Sequence, residues 1–150
     1  LHIRSCHLLL AKFGAFGLVR ETATRKGISV MPKQVFGSAQ VPLSPAVRAG
    51  DFVYVSGQVP VADGKIVSGG VGAETRVVLD NMKSVLELAG CEMDDVIKTT
   101  VWLRDRDDFA EFNAVYATYF ASEPPTRSTA ESRLMIDIAV EIEAIAYKPL

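Results

Sequence analysis

The sequence predicts an α+β domain in which two helices cover one face of a single sheet. Three observations carry that prediction. Runs rich in β-branched and aromatic residues alternate with two longer stretches of helical periodicity, in the order β-β-α-β-α-β-β over residues 52–147. Only two helices are available, enough for one face of a sheet of this size. The last strand carries apolar groups on both faces, so its second face is expected to meet another subunit.

Each element has its own signal. Phe52–Gln58 (FVYVSGQ) has strand composition and is closed by Val59 and Pro60. Asp63-Gly64 marks a tight turn, so the segment from Lys65 to Val67 pairs back as a hairpin. Gly69, Gly70 and Gly72 break the chain before a helix over residues 73–89. There Val78, Met82, Val85, Leu86 and Ala89 form one stripe, and Gly90 stands just past the end. Val96–Leu103 (VIKTTVWL) reads as a strand, with Trp102 as core. Asp105–Asp108 leads into a second helix, with Asp108 and Glu111 spaced as a capping box. Its stripe is Phe109, Phe112, Tyr116, Tyr119 and Phe120, and Pro124-Pro125 stop it. Strands are expected over 128–134 and 138–147, with one or two short ones near 34–42. In the last strand Ile138, Val140, Ile142, Ala144 and Ala146 share one face. Ala139, Ile145 and Tyr147 share the other with Glu141 and Glu143.

Composition narrows the function. The chain of 150 residues fits one domain, and its two cysteines, Cys6 and Cys91, are too few for a disulfide framework and lack zinc-site spacing. No apolar run approaches the ~20 residues of a membrane span, and a reducing cytoplasm is the expected compartment. Residues 1–30 hold five bases against one acid, whereas residues 31–150 hold 11 bases against 17 acids. An acidic body speaks against nucleic-acid binding. The first methionine is Met31, in Met31-Pro32-Lys33, so residues 1–30 are read as an extension outside the fold: a leader or expression remnant, or a transit-like segment. Both histidines, His2 and His7, lie there. Residues 31–150 therefore offer no Ser-His-Asp or Cys-His system and no His-ligated metal site. The glycine cluster at 69–72 matches no phosphate-binding motif.

The remaining candidates are few. Glu141 and Glu143 share a face of an otherwise uncharged strand, where a carboxylate is costly unless paired. They are either salt-bridging or edge-guarding charges, or one is a general base with a pKa raised by burial. Arg127 opens a strand after Pro-Pro-Thr, either as a surface cation or as a two-pronged partner for a carboxylate ligand. Ser56-Gly57 interrupts an apolar strand, marking a bend or the close approach of a ligand. Asn113 lies on the second helix, as a solvated residue or a ligand contact.

Six blocks in order resemble the RidA/YjgF family, formerly the L-PSP endoribonuclease family: VYVSGQVP (53–60), LDNMKSVLELAG (79–90), DVIKTTVWLRD (95–105), FAEFNAVYATYF (109–120), PPTRSTAES (124–132) and VEIEAIA (140–146). The resemblance spans essentially all of residues 31–150. It implies a chorismate-mutase-like α+β fold, a barrel-like homotrimer with clefts between subunits, and cofactor- and metal-free hydrolysis of reactive 2-imino acids to 2-keto acids and ammonia. It implies that Arg127 holds the substrate carboxylate and Glu141 positions water, with Ser56, Gly57, Asn113 and Thr129 lining the site. Thr129 stands where the family often has Cys, and Ala46 where it often has a cleft tyrosine. The missing tyrosine would suit a bulkier substrate side chain. An endoribonuclease or translation inhibitor, and a trimeric binder of small carboxylates, are the alternatives.

Overall fold

Strand alternation decides where the core lies. Across the last strand Val140, Ile142, Ala144 and Ala146 are buried, while Glu141, Glu143, Ile145 and Tyr147 turn the other way. The structure, a computed structural model, describes residues 33–150. The expectations for residues 1–30, including His2, Cys6 and His7, lie outside the described residues.

In chain order the elements are β1 (Gln34–Phe36), β2 (Ala46–Ala49), β3 (Phe52–Gln58), β4 (Val61–Ala62), β5 (Lys65–Ile66), α1 (Val71–Leu88), β6 (Val96–Leu103), α2 (Phe109–Tyr119), β7 (Thr126–Glu131) and β8 (Val140–Tyr147). Six of the strands form one sheet in the order β1-β2-β3-β8-β6-β7, and β4-β5 form a separate hairpin. Every pair in the large sheet is antiparallel except β6–β7, whose parallel crossover is α2. The β4–β5 turn places Asp63 and Gly64 at φ 52° and 73°, the left-handed pair that a two-residue hairpin needs.

Both helices lie on one face. Leu79, Met82 and Leu86 of α1 and Phe112 of α2 are fully buried against Val53, Val101 and Ile142 of the sheet. The opposite face carries Phe52, Tyr54 and Tyr147, all exposed, with the Phe52 and Tyr147 rings 5.3 Å apart. Among the described residues no helix is long and apolar enough to cross a membrane.

The α+β architecture agrees with the sequence reading, with local differences. α1 starts two residues early, at Val71, and Gly90 follows its end at φ 72° as expected. The Asp108/Glu111 capping box does not form. Asp105 caps the one-turn 3-10 helix at Arg106–Asp108 by accepting from Asp107 N at 2.9 Å, and Glu111 accepts from Gly72 N, tying α2 to the start of α1. β7 begins at Thr126 rather than 128, because parallel pairing with β6 takes the chain directly from Pro125. β8 begins at Val140 rather than 138, since Ala139 N–H is taken by the buried Glu74 carboxylate at 2.5 Å. Trp102 is not core: it is half-buried on the open face, paired in register with Glu141.

One buried cation, which composition and periodicity do not reveal, closes the sheet against α1. Arg48 donates to Lys148 O at 2.9 Å and Ala89 O at 3.0 Å, and lies 3.7 Å from the Cys91 sulfur. Its charge is spread over helix-end and strand-end carbonyls that would otherwise lack donors.

Leu79 is fully buried between α1 and the sheet. Leu79→Ala is expected to lower stability by about 2–5 kcal/mol, read as a shift in the urea midpoint at fixed protein concentration.

Candidate functional site in two halves

Arg127 lies on the helix side of the sheet. It is paired in register with the buried Thr99 on β6, so both side chains point towards α2. The guanidinium carbon sits 4.8 Å from the Tyr116 ring centre, 5.4 Å from Phe112 and 5.5 Å from Phe109, and Nη1 donates to Asn113 Oδ1 at 3.0 Å. The Tyr116 hydroxyl is itself held by Thr99 Oγ1 at 2.8 Å, and burial pushes its pKa up, so the phenol stays neutral. These contacts fix the orientation of a planar cation and leave part of its fork free. The cation is therefore held in an aromatic cradle rather than ranging through solvent.

Backbone geometry adds donors. Ser132 N–H donates to Leu103 O at 2.9 Å across the β6–β7 pair. Alternation then turns the backbone of Ser128 and Ala130 inward and that of Arg127 and Thr129 outward, along the open edge of β7. Two clefts flank this edge. One of about 390 Å³ includes Arg127, Asn113, Tyr116 and Phe120. The other, about 350 Å³, includes Thr129, Phe109 and Leu103. A small anion at this edge meets the guanidinium of Arg127 and the outward N–H groups of Arg127 and Thr129.

Glu141 lies on the opposite face, with β6 between its strand and Arg127's. Burial raises its pKa above the ordinary 4.5, and the like charge of Glu143 adds to the rise. Gly57 lies directly beneath it: a side chain at 57 would overlap Glu141 Oε1. That close approach, at a register shift between Val55 and Gln58, is why glycine sits in this strand. Ser56 is held next to it, its hydroxyl donating to Ser44 O at 2.7 Å and its N–H to Pro45 O at 3.0 Å.

The six residues singled out from the sequence thus form two groups. Arg127, Asn113 and Thr129 stand at one sheet edge on the helix side. Ser56, Gly57 and Glu141 stand together on the open face. No small molecule touches both groups within one copy, because the sheet itself separates them. Ala46 belongs to neither: it is fully buried in the core, opposite Val55, and presents no surface to a ligand. Its expected effect on cleft width is therefore not seen in one copy. A further cleft, about 560 Å³ between Asp80, Glu87, Glu92 and Tyr119, contains none of the six. The cradle is not visible in the sequence, where Phe109, Phe112 and Tyr116 fall on one apolar stripe. The available signal was an asparagine inside that stripe, four residues from Phe109.

The family model described as Endoribonuclease L-PSP matches residues 35–148. A RutC family protein of Pyrococcus horikoshii is 50% identical over 110 residues, covering 71% of this chain and 87% of the relative. A mouse protein named 2-iminobutanoate/2-iminopropanoate deaminase is 42% identical over 110 residues, covering 71% of this chain and 82% of its own length. Among solved structures, E. coli TdcF with bound serine superposes with a TM-score of 0.73 at 36% identity, covering 77% of this chain and 98% of that one.

Gly57→Ala places a methyl where Glu141 Oε1 lies. Because that oxygen ends a flexible, half-buried side chain, the methyl is expected to push the carboxylate aside at little cost in thermal or urea unfolding and to move the carboxyl titration of Glu141, observable by carbon NMR. An unchanged titration would mean that Gly57 does not shape the position of Glu141.

Proposed function

The chain belongs to the endoribonuclease L-PSP family, the RidA/YjgF family of the sequence reading, and from that premise we propose that it hydrolyses 2-imino acids to 2-keto acids and ammonia. The observation that carries this is the division of the candidate residues into an anion-holding edge and a carboxylate-bearing face. The active unit is a homo-oligomer, a trimer as in the family resemblance, in which the β7 edge of one copy lies against the open face of the next. The exposed Phe52, Tyr54 and Tyr147 of that face are then covered by the same contact.

In this reading Arg127 and the outward Thr129 N–H take the substrate carboxylate, with Asn113 and the three rings fixing the guanidinium plane. Glu141 of the adjoining copy removes a proton from a water molecule as its oxygen bonds to C2, and the imine nitrogen receives that proton. The second proton of the same water then moves to nitrogen through Glu141, and the C–N bond breaks. The products are ammonia and a keto acid, so one water is consumed for each imine. Orientation supplies most of the acceleration. The raised pKa of Glu141 brings its basicity closer to neutral pH, where general-base catalysis is worth about 10²–10⁴. The relative with bound serine supports a ligand bearing an amino-acid carboxylate. The family's printed description names an endoribonuclease, but an acidic body around one cradled guanidinium favours a small carboxylate over a polyanionic chain.

Arg127→Ala and Glu141→Ala, each expressed alone, are expected to lose ammonia release from enzymatically generated 2-iminobutanoate. Co-expressed with different tags and purified as mixed trimers, they are expected to regain about a third of the wild-type activity, since every mixed trimer holds one site in three to which each copy contributes its unmutated residue. No recovery would remove the composite site. Arg127→Lys keeps the charge without the fork and is expected to lose most of kcat/KM.

Glu141 must be ionised to accept a proton, so kcat/KM is expected to fall as pH drops through a value above 4.5. Glu143→Gln removes the neighbouring like charge and is expected to move that acid limb to lower pH. A limb that stays in place under Glu143→Gln would assign the titration to another group.

A further inference from the structure

Residues 132–139 lead from β7 to β8 and are pinned at both ends. Ser132 N–H donates to Leu103 O at 2.9 Å, and Arg104 N–H donates to Ala139 O at 2.9 Å. Ala139 N–H donates to the buried Glu74 carboxylate, Ile138 is fully buried, and Asp137 pairs with Arg104. Between these anchors the tip turns outward. Met135 is 90% exposed, the most exposed of the large apolar side chains described. A solvated loop tip is ordinarily polar, and an apolar one held in place marks a contact surface.

That tip stands next to Glu141. Trp102, its register partner on β6, together with Ser132, Arg133, Leu134 and Met135, forms with Glu141 a cleft of about 160 Å³. Three of these walls are apolar. A cavity of about 150 Å³ lined by apolar groups is large enough for benzene. Methionine adapts its shape to whatever fills the space.

We infer that Trp102, Leu134 and Met135 receive the side chain of the substrate and select 2-imino acids with branched aliphatic or aromatic side chains over 2-iminopropanoate. This rests on the deaminase reading, and one bond length links the two. Water aimed by Glu141 attacks C2, and the substrate side chain is attached to C2. The group beside the reacting carbon therefore lies within a few ångströms of the Glu141 carboxylate, where this wall stands. A methyl side chain leaves most of the cleft empty, whereas an isobutyl or benzyl group fills it.

The test uses the full chain and imines generated by an amino-acid oxidase from alanine, leucine and phenylalanine, following ammonia release above the uncatalysed rate. The wild type is expected to favour the leucine- or phenylalanine-derived imine in kcat/KM by about 10–200-fold, the range that hydrophobic pockets achieve. In Met135→Ala and Trp102→Ala the ratio of large to small substrate is expected to fall about tenfold, mainly through KM. The control Leu88→Ser, exposed at the end of α1, is expected to leave the ratio alone. Turnover with a flat side-chain profile, or variants that keep the wild-type ratio, would overturn this inference alone. Variants that change only the sedimentation of the oligomer would assign the wall to contact between copies and overturn it too. Absence of turnover on all three imines would sink it together with the deaminase reading.

Discussion

Two helices cannot cover both faces of six strands, and this shortage of covering layers governs the molecule. One face is filled by Leu79, Met82, Leu86 and Phe112; the other is left with Phe52, Tyr54 and Tyr147 towards solvent. Because strand side chains alternate, the same geometry sends Arg127 to the covered side and Glu141 to the open side. A cation and an acid of complementary use are thus kept apart within the copy. Were they adjacent, they would pair with each other, and neither would be available to a ligand.

Each half is stabilised in its own way. The guanidinium is held by ring faces and one amide oxygen, neutral partners that orient it without neutralising it. Its charge remains available to an incoming anion. The carboxylate is treated oppositely: burial and a like-charged neighbour raise its proton affinity, and among the described residues it forms no salt bridge. An acid in that condition is a better base than one in water, at the cost of an unfavourable burial that the surrounding fold must offset.

The offset comes from contacts remote from the site. Arg48 joins the end of α1 to the end of β8, and Glu74 holds the backbone where β8 begins. Asn81, midway along α1, donates to Val59 O and Val61 O at 3.0 Å and fixes the chain just after β3. These buried and part-buried polar ties act on the two strands that carry Ser56, Gly57 and Glu141. They rigidify the floor of the open-face half-site and leave its apolar rim, Met135 and Trp102, free for contact.

Much of this was legible from residue order. Period-two and period-3.6 patterns located β3, α1, β6, α2 and β8 because each buries one face, and burial of one face is what periodicity records. The conflict between Glu141 and its apolar strand was visible for the same reason, as was the glycine that gives it room. The limits of β7 and β8 were less legible, since parallel pairing with β6 and the Glu74 acceptor are contacts between residues far apart in the chain. So were the aromatic cradle of Arg127 and the buried role of Arg48: a stripe of rings looks the same in sequence whether it packs on aliphatic groups or on a guanidinium. The sequence by itself determined which residues were chemically unusual. Only the tertiary structure decided that they occupy opposite sides of one sheet, because the side of a sheet on which a residue lies depends on register with strands that its neighbours in sequence never touch.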